Sequence, residues 1–306
     1  MINRDFKTIN DLLEAFPDEQ SCIDQLEKIR WNGYVISPFD PTSKVYKCKD
    51  NKYICKNTNK YFNVRTYTMY DNTKVSLRKW FLAIYLATSH KKGISSHQLA
   101  KDIGITQKSA WFMLQRIRNC FGIECVECLD NEVEADETYI GGKNKNRHNS
   151  KKEKGTQGRN VKTKTPVLGA VARNGRLVAK VVPDTKAKTL TPEIIKWVKE
   201  TASIITDEWI GYNSIKKHYK HSYVKHKQGE YVRDNIYTNT IEGFWSLFKR
   251  GIFGIYHFVS RKHLQKYVDE FVFRYNTRKN STSYRFNLFL CNMATRTTYK
   301  DLIYEE

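Results

Sequence analysis

Hydrophobic positions follow a helical period in the first part of this chain. Residues 1–30 place apolar side chains three or four positions apart around a break at Pro17, which predicts short amphipathic helices. Residues 31–75 are instead rich in Lys, Asn, Tyr and turn-forming side chains, a texture typical of short strands and hairpins. We therefore predict N-terminal helices over 1–30 and a small hairpin module over 31–75.

Residues 76–122 contain three helical patterns, each behind a side chain that can cap a helix. Ser76 precedes the first pattern, Ser95 or Ser96 the second, and Thr106 the third. Because only a short turn separates the last two patterns, we predict a helix-turn-helix domain.

The last helix of such a domain presents its N-terminal residues to base edges in the major groove. The predicted DNA-contacting residues are Thr106, Gln107, Lys108, Ser109 and either Trp111 or Phe112. The alternative interpretation is a small helical packing module that binds no DNA.

The central part of the chain changes to the period of strands that alternate with helices. In "EVEADETYI" the side chains of Glu134 and Asp136 lie on one face of a predicted strand, because side chains alternate along strands. Two later apolar runs flank Asn174-Gly175, a strong hairpin signal. Shorter strands and helices follow, among them a helix with Thr191 as its predicted cap and a helix over 239–251, so we predict a mixed α/β domain over 130–280.

The net charge of the chain indicates the kind of partner that it binds. A formal net charge of +21 exceeds what solubility requires, and nucleic acid is the commonest partner of such an excess. A basic protein that binds nothing in particular is the alternative. The longest apolar run, "WFLAIYLA", is too short to span a bilayer, and the first residues are not typical of a signal peptide. We therefore expect a cytoplasmic, nucleoid-associated protein that makes no membrane contact and keeps its seven cysteines reduced.

Three carboxylates belong to three separate predicted elements. Asp136 lies on the first strand of the domain, Asp207 ends a later strand, and Glu242 lies near the start of a helix. If these groups meet in a partly buried pocket, they raise one another's pKa values unless cations neutralise them, and Mg²⁺ prefers such oxygen ligands. Two Mg²⁺ ions about 3.5–4 Å apart can assist the cleavage of a phosphodiester. We predict a Mg²⁺ site, with Mn²⁺ as a substitute.

Each carboxylate also has a purely structural interpretation. Asp136, with Glu134, also fits the solvated face of an edge strand, and Asp207 fits a cap for the helix that follows it. Asn239, followed three residues later by Glu242, resembles a capping box, in which the glutamate only satisfies a backbone amide.

Cysteine spacing gives little support for zinc. Cys48 and Cys55 supply two ligands where four are needed, and "CVEC" at Cys125 and Cys128 has no second pair nearby. The segment 143–164 has nine Lys or Arg and a single acid, which predicts a flexible insertion that clamps DNA or, alternatively, a merely solvated loop.

Three stretches carry a resemblance to a known family. These are "VEADETYIGG", "TDEWIGY" and "YTNTIEGFWSLFKRGIFGIYHFVSRKHLQKYVDEFVFRYN". They closely resemble the motifs of bacterial insertion-sequence transposases of the DDE type, most of all the group designated fifteen-ninety-five, whose catalytic core is RNase H-like. The resemblance covers the chain from about Trp31 to Asn276, and residues 281–306 are left as a C-terminal tail.

The resemblance implies Asp136, Asp207 and Glu242 as the catalytic and metal-binding residues. Where the family has a zinc ribbon with two close cysteine pairs, this chain has Ser37, Asp40, Cys55 and Thr58, so we expect the hairpin module without zinc. On the helix of Glu242, Asn239 lies one turn before it and Lys249 two turns after it, suited to a phosphate contact. Arg250 and His257 are further candidates for DNA contact, and a solvated helix face is their alternative.

The expected activity is cleavage at transposon ends that exposes a 3′-hydroxyl, followed by attack of that hydroxyl on target DNA. A homo-oligomer is expected, since two element ends must be processed together. The alternatives are a DNA-binding regulator without catalysis, which does not require the three acids, and an RNase H-like nuclease without strand transfer.

Overall fold

The computed structural model describes residues 5–122, 128–142, 148–152, 161–225, 228 and 232–304. The helices are α1 (Ile9–Ala15), α2 (Glu19–Trp31), α3 (Leu77–Ser89), α4 (Ser96–Ile103), α5 (Gln107–Asn119), α6 (Ala187–Trp197), α7 (Asn239–Gly251), α8 (Leu264–Asn276), α9 (Thr282–Leu290) and α10 (Tyr299–Tyr304). The strands are β1 (Val45–Lys47), β2 (Tyr53–Cys55), β3 (Lys60–Phe62), β4 (Glu132–Ile140), β5 (Thr165–Ala172), β6 (Leu177–Val181), β7 (Ser203–Asp207) and β8 (Lys220–Val224).

The chain divides into two compact units. The first contains residues 1–122 and 279–306, and the second contains residues 123–278. The segment predicted as a C-terminal tail carries α9 and α10 and groups with the first unit, because side chains such as Phe286 and Phe289 are fully buried there.

Helices of the first unit begin at the side chains that the sequence indicated, although one is capped differently. Ser95 caps α4 and Thr106 caps α5, each by accepting a backbone N–H two or three residues into the helix. Ser76 precedes α3 but makes no such bond. The carboxylate of Glu19 does so instead, because it accepts the N–H of Leu77 at 2.8 Å.

The hairpin module forms an antiparallel sheet in the order β1-β2-β3. Cys55 on β2 is fully buried. Burial raises the pKa of its thiol, but hydrogen bonds with Ser37, Ser43 and Thr58 together outweigh that effect and lower the pKa to about 6. The thiol of Cys55 is therefore hydrogen-bonded to Ser37 and Thr58, two positions at which a zinc ribbon would have cysteines.

The second unit is a mixed α/β structure, as predicted. Its described residues form a sheet in the order β6-β5-β4-β7-β8, antiparallel across β6, β5 and β4 and parallel across β4, β7 and β8. The first hairpin turns at Asn174, whose φ of 59° is the left-handed conformation that an Asn-Gly turn requires. Strand β4 thus occupies the centre of the sheet, where its side chains are covered on both faces.

Helices cover the two faces of this sheet. One face packs against α6 and a 3-10 helix (Ile210–Lys217) through a cluster that includes Val133, Ala135 and Tyr212. The other packs against α7 and α8 through Val167, Val171 and the aromatic residues of α7. Side-chain alternation along β4 therefore directs Glu134 and Asp136 toward α7.

One helix begins earlier than the sequence indicated. The prediction placed its start at a threonine cap, Thr191, but α6 begins at Ala187 and contains both Thr191 and Pro192. Asp184 explains the earlier start, since its carboxylate accepts the N–H of Lys186 and the hydroxyl of Thr189 just before and inside the first turn.

Some sequence predictions concern other parts of the chain. Cys125 of "CVEC" and residues 143–147 and 153–160 of the basic segment lie outside the described residues. Within the described ranges, no helix has the length and apolar character needed to cross a membrane.

Candidate active site

Asp136 lies at the centre of the sheet of the second unit. It is directly opposite Gly169 of β5 in the antiparallel pair. On the other side of β4, Glu134 is level with Ile205 of the parallel strand β7. Two residues further along, Asp136 and Asp207 therefore reach the same level and the same face of the sheet.

Asp207 is the last residue of β7 and is half-buried. Its Oδ1 accepts the backbone N–H of Trp209 at 2.9 Å, immediately before the 3-10 helix at Ile210. The capping interpretation of this side chain is wrong, because the bond goes to Trp209 ahead of the helix, and no described side chain caps the helix itself. The same carboxylate also acts electrostatically on Asp136.

Glu242 lies in the first turn of α7 and is exposed. One of its carboxylate oxygens accepts the hydroxyl proton of Thr238 at 2.8 Å. The capping-box interpretation is wrong, because Asn239 is already the first helical residue rather than the cap. Glu242 is therefore not needed to satisfy the start of this helix.

A carboxylate from the sheet satisfies that start instead. Glu134 is fully buried, and its carboxylate accepts the N–H of Thr240 at 2.8 Å, the N–H of Ile241 at 3.0 Å and the hydroxyl of Thr240 at 2.9 Å. Arg173 completes the set by donating its Nε–H to Glu134 at 2.9 Å. Every one of these donors fixes the beginning of α7, which carries Glu242, against β4.

Asp136 is surrounded by negative charge, whereas Glu134 is surrounded by hydrogen-bond donors. Burial raises the pKa of Asp136 well above its usual range, and the negative charges of Glu137, Asp207 and Glu242 raise it further. Asp136, Asp207 and Glu242 are therefore close enough to repel one another. Glu137 points to the opposite face, where the buried hydroxyl of Tyr212 donates to it at 2.6 Å.

A lysine from α7 also reaches this cluster. Lys249 is half-buried, and burial together with the charge of Lys164 lowers its pKa, while Asp136 acts in the opposite direction. The site thus combines three carboxylates with nearby cationic side chains, an arrangement that can hold a cation and a phosphate group side by side.

The sequence of the second unit matches a known family of proteins. Residues 128–276 match a family model described as ISXO2-like transposase domain. An uncharacterised protein in the transposable element ISH50 of Halobacterium salinarum is 29% identical over 279 residues, which are 86% of this chain and 92% of that protein. The second unit is therefore similar to an insertion-sequence transposase domain, and most of the chain is similar to a protein of a transposable element. The resemblance predicted from the motifs is thereby confirmed.

Among solved structures, this chain is similar to one described as the crystal structure of a pre-cleavage Mos1 transpososome. The likeness covers 67% of this chain and 75% of that chain, at 12% sequence identity and a TM-score of 0.27.

The donor set of this candidate site fits a divalent cation in chemistry. Three carboxylates offer only hard oxygen ligands, and the raised pKa of Asp136 reflects negative charge that a cation would offset. Within the described ranges, no three His, Cys, Asp or Glu side chains are grouped closely enough to hold an ion as they stand. The ligand chemistry is therefore present, and the side chains have to approach one another further around an ion.

The remaining predicted residues of the second unit are distributed along α7 and beyond it. Asn239 is exposed at the start of α7, and Arg250 is exposed near its end, where its Nε–H donates to the carbonyl of Ser246. His257 is exposed after the helix and has a φ of 60°. Lys249 is thus the candidate that the fold brings next to Asp136.

The predicted DNA-contacting residues of the first unit lie at the start of α5. Lys108 and Ser109 are exposed, whereas Gln107 is half-buried and donates to the hydroxyl of Ser96 on α4 at 2.9 Å. Thr106 serves as the cap of α5 by accepting the N–H of Ser109. Three of the four side chains thus have structural contacts, because the hydroxyl of Ser109 also accepts a bond from Thr106 at 3.0 Å.

Sequence reasoning missed three residues that position the helix of Glu242. Glu134 and Arg173 fix the start of α7, as described above. Gly169 leaves room for α7, because a Cβ at this position would lie 2.7 Å from the ring of Trp245. The sequence held one signal for this set, since a glutamate on the helix-covered face of a buried strand requires donors from another element.

Proposed function

We propose that this protein is a DNA transposase that binds the ends of its element, cleaves a phosphodiester there with Mg²⁺, and joins the exposed 3′-hydroxyl to target DNA. The observation that supports this proposal is the electrostatic effect of Asp207 and Glu242 on Asp136, since the three residues come from separate elements of a domain with a transposase family match. Clustered carboxylates cost free energy unless a cation is bound, so their presence favours a metal-dependent reaction.

An RNase H-like core is the fold that we assign to the second unit. Its sheet combines an antiparallel meander, β6-β5-β4, with two parallel strands, β7 and β8, and helices cover both faces. In this layout the end of β7 is level with Asp136 in the middle of β4, and the start of α7 packs on the same face of the sheet. Such an arrangement suits a site for a nucleic acid strand at the edge of the sheet.

Asp136, Asp207 and Glu242 are the proposed ligands of Mg²⁺, with Mn²⁺ as a substitute. When bound, the metal supplies activation of the attacking oxygen and stabilisation of the leaving oxygen. Asp136 holds a proton to a higher pH than an ordinary carboxyl, so it binds a cation with release of that proton. Lys249 would contact the phosphate beside these carboxylates and orient the bond to be cleaved.

DNA binding is the proposed role of the exposed start of α5. Lys108 and Ser109 would contact DNA directly, whereas Thr106 and Gln107 would position the helix through their bonds to Ser109 and Ser96. The net charge of +21 supports a long-range attraction to DNA. We further propose a homo-oligomer that holds two element ends and acts in the cytoplasm at the nucleoid, with Arg250 and His257 as accessory DNA contacts.

The test is a cleavage assay on labelled DNA that carries the ends of the encoding element, with Mg²⁺ or with EDTA. The Asp207→Asn variant is run alongside, and Asp130→Asn serves as the matched control. Asp130 has the same chemistry in the same unit, but its side chain pairs with Lys199 at the surface. Cuts at the element boundaries that require Mg²⁺, are absent in Asp207→Asn and persist in Asp130→Asn would support the proposal.

Two other outcomes would replace it. DNA that is bound but uncut in every lane would indicate a DNA-binding regulator. Metal-dependent cuts without any joining of the cleaved 3′ ends to a second duplex would indicate a nuclease that shares the carboxylates. Joined products, detected by sequencing across the junction, therefore decide between transposase and nuclease.

A further inference from the structure

The segment that follows α7 has an irregular backbone. Ile252–Tyr256 forms a π-helix, a form that occurs mostly in short pieces and often at functional sites. His257 then has φ 60° and ψ −46°, and the N–H of Phe258 donates to the carbonyl of Tyr256 at 2.6 Å. This tight γ-turn is a strained conformation for a residue with a side chain, and such strain persists only where the surroundings hold it.

Inward-facing residues hold the segment in place. Ile252 is buried in the cluster that joins α7 and α8 to the sheet. The hydroxyl of Tyr256 donates to Glu270 at 2.7 Å, and its ring packs edge-on against Tyr267 at 4.8 Å. His257 adds a bond across the turn, since its Nδ1 lies 3.1 Å from the carbonyl of Phe253 and must carry the proton. The strained turn is therefore a fixed feature of the domain.

The same backbone directs two phenylalanines outward. Phe258 is 74% exposed and Phe253 is 51% exposed. A cavity of about 570 Å³ lies beside them, and its other wall is formed by Ile140 and Gly141 at the end of β4. Folding gains nothing from two exposed rings held beside an apolar cavity, so a ligand is the simplest reason for this arrangement.

The cavity wall shares strand β4 with Asp136, which lies four residues before Ile140, and it borders positive charge. A Cβ at Gly141 would lie 2.7 Å from the carbonyl of Thr163, so the chain at residues 163–164 packs against the cavity wall. Lys164 in turn acts on Lys249, which lies beside Asp136. The guanidinium of Arg261 donates to the carbonyls of Val161 and Lys162, which directly precede residues 163–164 in the chain.

We propose that Phe253 and Phe258 bind one unstacked base of the DNA strand next to the cleaved bond, with that base entering the cavity. Aromatic rings stack on any base, and inserted Phe side chains separate base pairs in several classes of DNA-binding protein. Neighbouring cations favour a polyanion over a lipid chain or an apolar protein segment. The inference rests on the proposed function, because it takes DNA as the substrate.

The test uses 2-aminopurine, a base whose fluorescence rises when it is unstacked, placed at successive positions beside the cleavage site of an element end. Binding is measured in EDTA, so cleavage plays no part. The variants are Phe258→Ala, Phe253→Ala and Phe258→Trp, which keeps a ring for stacking. Ile210→Ala is the control, because Ile210 is an apolar side chain of the same unit with a similar exposure of 73%.

We expect the fluorescence to rise at one or two positions with the full-length wild-type protein, with Phe258→Trp and with Ile210→Ala. The rise should be lost in Phe258→Ala and reduced in Phe253→Ala, with about tenfold weaker binding for the loss of one stacking ring. With Mg²⁺, a mismatch at the responsive position should restore cleavage by Phe258→Ala, because the base pair is then already weakened.

An equal fluorescence rise in wild type and Phe258→Ala would overturn the inference, as would a mismatch that restores nothing. A loss of self-association in Phe258→Ala on size-exclusion chromatography, with the fluorescence unchanged, would also overturn it and indicate a second copy of the chain as the occupant. The proposed function fails separately: fluorescence that rises normally on DNA that is never cut supports the base-binding site and contradicts the transposase activity.

Discussion

Glu134 and Asp136 are two carboxylates on one face of one strand, two residues apart, and their surroundings are opposite. Glu134 accepts bonds from two backbone amides, a hydroxyl and Arg173. Asp136 instead lies among Glu137, Asp207 and Glu242, which raise its pKa after burial has already done so. The first group has its charge compensated by the protein, whereas the second has its charge opposed by the protein.

These two residues show that one strand can carry both a carboxylate that stabilises the fold and a carboxylate suited to chemistry. A buried carboxylate with a full set of donors stabilises the element that supplies them, here the start of α7. A carboxylate surrounded by others destabilises the fold until a cation is bound, and proteins keep such groups where chemistry needs them. The experiments below separate the two roles, from the largest expected effect to the smallest.

Removal of the compensated carboxylate should have the largest effect on stability. Glu134→Ala leaves the guanidinium of Arg173 and two amides of α7 buried without their acceptor, so we expect a loss of about 3–5 kcal/mol in the free energy of unfolding. Urea denaturation followed by circular dichroism measures it. Because α7 carries Glu242, cleavage should fall as well.

The matched control for this variant is Glu132→Gln. Glu132 pairs with the same Arg173 at 2.7 Å, but its side chain is 49% exposed. Solvent screens that pair, so its loss should cost less than about 1 kcal/mol. Equal losses for the two variants would contradict the assignment of Glu134 as the carboxylate that fixes α7.

Removal of the opposed carboxylate should have the reverse effect on stability and a large effect on activity. Asp136→Asn keeps the shape of the side chain but removes its charge from the cluster, so the metal-free variant should be more stable than wild type at pH 7. Cleavage should fall by on the order of 10³-fold, as it does when a principal electrostatic group of an active site is lost. Mg²⁺ should raise the Tm of wild type and leave that of the variant nearly unchanged.

The pH dependence of stability tests the same environment of Asp136. The pKa of Asp136 is raised from its usual 3.8, so the folded protein retains a proton that the unfolded chain has lost. The contribution of Asp136 to the free energy of unfolding therefore falls as the pH rises from about that value through the folded pKa. Asp136→Asn should lack this fall, and parallel stability curves for the two proteins without Mg²⁺ would contradict the proposed environment of Asp136.

Much of this layout was predictable from the sequence, because it depends on local signals. Strand β4 and helix α7 have the bounds that alternation and apolar spacing indicated, and Asn174 turns the hairpin as expected. The predicted start of α6 was wrong, because the helix begins at Ala187, ahead of the expected threonine cap. Local patterns predict elements well, but they do not reveal which polar side chain satisfies a helix end when several are nearby.

The supports of the site could not be predicted for a related reason. Glu134 meets Thr240 across 106 positions of the chain, and Gly169 meets Trp245 on a different element. Neither contact leaves a local signal, since each depends on how α7 packs on the sheet. The carboxylate triad was a prediction from motifs and stays one at the level of individual roles, although the fold brings its members within electrostatic range.

Gly169 tests the packing of α7 with a smaller change. In Gly169→Ala the new Cβ would lie 2.7 Å from the ring of Trp245, so the helix or the ring has to shift. We expect a loss of about 1–3 kcal/mol in the free energy of unfolding, typical of overpacking, and reduced cleavage because Glu242 shifts with the helix. The control is Gly243→Ala on α7, where nothing lies within 4 Å of the added Cβ and higher helix propensity should stabilise slightly.

Substitution of Lys249 should give the smallest effect. It tests whether the surroundings of Asp136, unlike those of Glu134, contact DNA. Its half-buried ammonium lies beside Asp136, so a phosphate bound at the site would be within its reach. Lys249→Ala should weaken DNA binding modestly. A plot of log affinity against log salt concentration should become less steep by about 1, the change expected for one lost phosphate contact. Lys199→Ala, which removes an exposed lysine paired with Asp130, should leave that slope unchanged. If both variants changed the slope equally, the attraction to DNA would come from overall charge, and Lys249 would serve only to offset the carboxylates around Asp136.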